Sequence, residues 1–222
     1  MKKLTFDYTV LIDCWSLARH RFICEGEGEG EAVIDQKLKL ISSFYNNLAP
    51  KFLQEPARYG HVLIASALGL DNNLQNPYDV HSDPWGRAMD VSLRRVLKKF
   101  LKHDYVLNMH GTANDMNWLT PDPERFQYKN VLVCGLEATG CVVDRPFGLR
   151  EMFLLNKANV YSGPDYTSNT NIRFTTEHFL EPWFTEYPDK DFTGGPTRKN
   201  LTIMWQATEE EKLFKLKSLE IR

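Results

Sequence analysis

The chain has 222 residues, enough to close one substantial core and short for two, and its 42% hydrophobic, 25% charged and 12% aromatic residues exclude the disordered and fibrous classes. A formal net charge of -2 provides no concentrated basic face, so neither nucleic acid nor an anionic membrane is expected as a partner. No run reaches the roughly 18 apolar residues that span a bilayer, and Met1-Lys2-Lys3 leads into no secretory segment, so the expectation is one soluble, cytoplasmic domain over residues 1–222.

Residues 9–13, Thr-Val-Leu-Ile-Asp, read as a strand buried on both faces and ending in an acid. The Glu-Gly alternation at 25–31 has no apolar anchor and is expected as an exposed loop. From Asp35, a candidate cap, Leu38, Ile41, Phe44, Tyr45 and Leu48 recur at helical spacing, and Pro50 marks the expected end. A second buried strand follows at 61–67, then a long loop rich in Asn, Asp and Pro at 69–85.

Helical spacing returns at 86–101, with Val91, Val96, Leu97 and Phe100 on one side and Arg94, Arg95, Lys98 and Lys99 on a solvated face. Further strands are expected at 105–109, 130–134 and 158–161, with a glycine turn and an apolar segment, 141–155, before the last of these. Residues 201–207 suit a sixth strand and 209–219 a terminal helix, while the stretch within 167–198 reads as an insertion carrying a surface excursion. Strands alternating with helices imply an α/β, Rossmann-like three-layer sandwich around a mostly parallel sheet of about six strands, with reactive groups at the carboxyl ends of the strands.

The four cysteines, Cys14, Cys24, Cys134 and Cys141, show neither metal-ligand spacing nor the density of a disulfide scaffold, so free thiols are expected. Val131-Leu-Val-Cys-Gly-Leu-Glu-Ala-Thr-Gly-Cys141-Val-Val resembles the signature of the isochorismatase-like cysteine hydrolases, in which an apolar strand runs into Gly, a small-residue turn and a nucleophilic Cys followed by Val. Leu11-Ile12-Asp13-Cys14-Trp15 is similar to that family's first strand, with Trp15 in the place of its usual Gln. The resemblance implies a six-stranded parallel sheet and, for active members, hydrolysis of amide, carbamoyl or isochorismate substrates.

A thiol attacks as thiolate, and an ordinary Cys with a pKa of about 8.5 needs activation at neutral pH. At a strand-turn-helix junction Cys141 gains from the helix dipole, and the N–H groups of Gly140 and Cys141 are the expected oxyanion hole. Asp13 is the candidate base that takes the thiol proton and hands it to the leaving amine. The resemblance implies a third member, a Lys, where this chain has Met109; a thioether carries no charge and donates no hydrogen bond, and the adjacent His110 is the candidate substitute.

Trp15 and Trp118 are candidates to line a pocket for a flat substrate ring. Asp79-Val80-His81-Ser82-Asp83 is a faint echo of a metal site and lies too far beyond the second strand, so no metal and no cofactor are expected. The partners expected are a small-molecule substrate and further copies or subunits of an assembly. The competing expectation is a pseudoenzyme, a retained fold serving as a structural or binding subunit.

Overall fold

The computed structural model of the chain describes residues 3–67, 90–108, 123–144, 147–155, 157–179, 183–184, 201–210 and 212–220. The strands are β1 (Tyr8–Ile12), β2 (His61–Ala67), β3 (His103–Asn108), β4 (Asn130–Gly135), β5 (Asn159–Ser162), β6 (Trp183–Phe184), β7 (Leu201–Ala207) and β8 (Phe214–Glu220). They form one sheet in the order β3-β2-β1-β4-β5-β8-β7-β6. The first five are parallel, and β8, β7 and β6 extend the sheet antiparallel.

The α/β three-layer architecture expected from the sequence is therefore present. Both faces of the parallel strands are apolar, which is why these segments read as continuous rather than alternating runs. On one face Leu11, Val62, Ile64 and Leu132 pack beneath α2 (Glu31–Gln54) and α3 (Val91–Phe100), against Phe44, Leu48, Phe52 and Leu97; α1 (Leu17–Gly26) adds Leu17 at the margin. On the other, Val10, Ile12, Leu63 and Val133 meet Phe126 of α4 (Pro123–Phe126), Val142 of α5 (Cys141–Asp144), and Phe147, Met152 and Phe179.

Several local expectations are corrected. The loop expected at 25–31 is shorter, because α1 runs to Gly26 and α2 starts at Glu31. Asp35 does not cap α2: Gly30 is its N-cap, and Asp35 accepts from Arg21 at 2.9 Å. Pro50 does not end that helix, which continues to Gln54. Proline removes one helical hydrogen bond, and the buried side chains of Leu48, Ala49 and Phe52 on either side of it hold the last turn in place. The helix expected at 209–219 is strand β8, in which buried Phe214 and Leu216 alternate with Lys215 and Lys217. The helix expected at 86–101 is α3, capped by Asp90, whose Oδ1 accepts from the Ser92 and Leu93 N–H groups at 2.9 and 3.1 Å.

Candidate active site

The chain lays down β1, β2 and β3 to one side, then returns to place β4 against the other side of β1. The strand order thus reverses between β1 and β4, and a crevice beyond the carboxyl ends of two such strands is where open α/β sheets bind ligands. Register pairs Ile12 with Gly135, so Asp13 is one residue beyond the end of β1 and the turn 136–140 leads from β4 into Cys141, the first residue of α5. The two residues singled out as nucleophile and base therefore stand at the same rim, on neighbouring strands.

Asp13 is buried and holds a left-handed backbone, φ 50°. That conformation is uncommon for residues other than glycine, and Asp and Asn tolerate it best. Its N–H donates to the Ala65 carbonyl at 3.0 Å, and its own carbonyl accepts from Trp15 N–H at 2.8 Å. The segment after it is tied down twice more: Asp90 N–H donates to the Cys14 carbonyl at 3.2 Å, and the Tyr45 hydroxyl of α2 donates to the Trp15 carbonyl at 2.5 Å. His20 Nε2 lies 3.4 Å from that hydroxyl, and the Trp15 and His20 rings are 5.4 Å apart. Burial first, and the neighbouring Arg19 second, push the His20 pKa down to about 4, so the ring is neutral near pH 7.

On the other strand, Gly135 has no room for a side chain. A Cβ there would lie 2.5 Å from the Ile12 carbonyl oxygen and 3.0 Å from Val142 Cγ2, and this close packing draws α5 against the end of β1. The turn that follows is held by a returning loop. Gly135 N–H donates to the Tyr166 carbonyl at 3.0 Å, Ser168 N–H to the Gly135 carbonyl at 3.1 Å, and Ala138 N–H to the Ser168 carbonyl at 2.9 Å. Glu137, left-handed at φ 58°, accepts from Thr170 N–H through Oε1 at 3.0 Å, and Asn169 Nδ2 donates to Thr139 Oγ1 at 3.1 Å.

Of the four cysteines only Cys141 is partly exposed. Burial pushes the Cys14 thiol well up, with the carboxylates of Asp13 and Asp90 adding to it, and burial does the same to Cys134. Cys24 is pushed up to about 11, by burial and then by its hydrogen bond to Glu29. These three keep their protons, which leaves Cys141 as the thiol with access to a ligand.

Two expectations about this turn are modified. Gly140 N–H donates to the Glu137 carbonyl at 2.9 Å, so one of the two expected oxyanion donors is engaged within the turn. Among its described residues the 141–155 segment carries α5 at Cys141–Asp144 and a π-helical turn at Glu151–Leu155. Met109, His110 and Trp118, and the stretch from Asp79 to Asp83, lie outside the described residues. Among the described residues no group of three or more His, Cys, Asp or Glu side chains is arranged to hold a metal ion, and no helix is long and apolar enough to cross a membrane.

Sequence reading did not reach Tyr45, His20 and Asp90 as supports of the Asp13 segment, nor Glu137 as the anchor of the turn. Tyr45 and Asp90 read equally well as core and cap residues, and only the pairing of distant elements gives them a second role. Fold and crevice together define an α/β protein with a thiol and a carboxylate at its topological switch point. Comparison with models of protein families, with curated proteins and with solved structures finds no match to this chain.

Proposed function

We propose that the chain is an isochorismatase-like cysteine hydrolase that cuts a C–N bond, amide or carbamoyl, in a small cytoplasmic molecule. The observation that carries this reading is the position of Asp13 and Cys141 at the carboxyl ends of neighbouring parallel strands, beside the point where strand order reverses. In the first half-reaction Asp13 takes the Cys141 proton and the sulfur attacks the carbonyl carbon, forming a C–S bond. The C–N bond then breaks as Asp13 passes the proton to the leaving nitrogen. Water attacks the resulting thioester, releasing the acid and restoring the thiol. His110 assists proton movement in place of the absent Lys, Trp15 and Trp118 bound the substrate ring, and no cofactor takes part.

The test follows ammonia release from nicotinamide and from carbamoyl compounds by the purified chain. Turnover that disappears in Cys141→Ala is expected; turnover that survives that substitution overturns the reading.

A second reading, a pseudoenzyme serving as a binding subunit of a homo-oligomer or larger assembly, is favoured by Met109 in the lysine place, by Trp15 in the glutamine place and by the engagement of Gly140 N–H with Glu137. Alkylation separates the two. Rapid, selective labelling of Cys141 at mildly acidic pH supports the hydrolase, and labelling at the rate of an ordinary thiol supports the subunit.

A further inference from the structure

The net charge of -2 conceals an uneven distribution in the helical layer of α2 and α3, with α1 beside α2. Tyr45 bonds the Trp15 carbonyl at the rim, so the first half of α2 continues past the sheet, and at 1.5 Å per residue Glu31, its first residue, stands about 20 Å beyond Tyr45. α1 lies alongside, since Arg21 bonds Glu31 and Asp35 at 2.6 and 2.9 Å. The two helices form a hairpin whose tip, residues 25–31, is the Glu-Gly alternation of the sequence. Over residues 21–37 five acids stand against two cations. Three of those carboxylates, Glu25, Glu31 and Asp35, share the single guanidinium of Arg21, and Glu27 makes no ion pair with another described residue.

The opposite end of the layer is positive. Asp90, just before α3, donates its N–H to the Cys14 carbonyl at the rim, and the Lys102 carbonyl, just past α3, accepts from Val62 N–H near the start of β2 at 2.9 Å. α3 therefore runs from the rim toward the amino ends of the strands. Residues 91–103 hold five cations and no acid. Arg95, Lys98, Lys99 and Lys102 are exposed and make no ion pair with another described residue, and at three- and four-residue spacings they repel one another. Each end also shows one exposed apolar side chain, Val33 by the acids and Phe100 by the cations.

We infer that this layer is the contact face of a homodimer in which two copies lie antiparallel about a two-fold axis, the acidic hairpin tip of each against Lys98, Lys99 and Lys102 of the other. A two-fold contact needs a surface complementary to itself when reversed. A layer negative at one end and positive at the other meets that condition at both ends at once. One charged patch would leave the partner open, whereas two of opposite sign at opposite ends of one layer specify a second copy of this chain. The projection of the hairpin past the rim gives its tip the reach to lie over the partner, and Val33 and Phe100 supply an apolar residue to each side of each contact.

Sedimentation velocity of the full chain tests the pairing. A species of twice the chain mass is expected at about 50 mM NaCl, and about 0.5 M NaCl weakens the association about tenfold, because exposed charges are screened. Two charge-reversed chains make the test specific, Glu25→Lys with Glu27→Lys and Lys98→Glu with Lys102→Glu; all four positions are exposed, so the core is untouched. Each variant alone brings like charges together and is monomeric where wild type is dimeric. An equimolar mixture of the two dimerises again, since each end then meets its opposite. A monomeric wild type, a dimer that both variants retain, or a mixture that stays monomeric overturns the inference. Growth beyond the dimer overturns it as well, because a head-to-tail contact does not close on two copies. None of these outcomes depends on hydrolysis at Cys141.

Discussion

Asp13 carries two roles that a single substitution can separate, one in its backbone and one in its carboxylate. Its φ of 50° favours Asp, Asn or Gly. Asp13→Asn therefore keeps the turn and removes only the base, whereas Asp13→Ala also places a side chain of poor left-handed tolerance there and should cost about 1–2 kcal/mol. Urea unfolding should show Asp13→Asn close to wild type and Asp13→Ala destabilised, while both lose ammonia release and rapid Cys141 alkylation. Loss of chemistry in Asp13→Ala alone would make the residue a turn former and nothing more.

The same stretch holds a pH-sensitive group. His20 is charged below about pH 6.5 when unfolded, but its folded pKa is about 4. Between those values the unfolded chain binds more protons, so the folded state is fully favoured above pH 6.5 and loses stability as pH falls toward 4. The loss from pH 7 to pH 5 is about 2 kcal/mol from this ring alone. Carboxylates titrate nearby, so the measurement is the difference between wild type and His20→Gln in urea midpoints at the two pH values. The variant should show the shallower decline.

At the scale of elements, the parallel strands were legible because burial on both faces leaves an unbroken apolar run, as in Val131-Leu-Val-Cys. The 61–67 and 201–207 strands match β2 and β7 end to end, and the other expected strands shift by a residue or two. The missed elements share another cause. In β8, Phe214-Lys-Leu-Lys carries a two-residue alternation, but its Lys and Leu content also suits a helix, and only pairing with β7 and β5 decides between them. Helix α1 went unread because its apolar pattern is weak; its signal was local, Ser16 accepting from Arg19 N–H at 3.2 Å as an N-cap. The site divides the same way. Asp13 and Cys141 could be read from strand endings, whereas Tyr45 and Glu137 depend on which distant segments the fold brings together.

Across the whole molecule, the antiparallel extension reaches the candidate active site through a short chain of contacts. Phe214 of β8 stacks on Phe179 at 5.0 Å, and both are buried in the core that also receives Val142. The turn before β8 then presses against the loop after β5: a Cβ on Gly163 would lie 2.0 Å from the Lys212 carbonyl oxygen. Gly163 begins the segment whose residues Tyr166, Ser168 and Thr170 hold Gly135, Ala138 and Glu137, and those residues set the turn that ends at Cys141. Two substitutions far from the thiol should consequently be felt there. Phe214→Ala opens a cavity in a packed core and should cost about 3–5 kcal/mol in urea unfolding. Gly163→Ala forces backbone apart with little loss of apolar burial, at a cost of about 1–3 kcal/mol. Because Gly163→Ala acts on the loop itself, it should alter the Cys141 alkylation rate more than Phe214→Ala does under conditions where both variants remain folded. Equal, wild-type labelling rates in the two would mean that the turn around Cys141 is held by β4 and α5 alone.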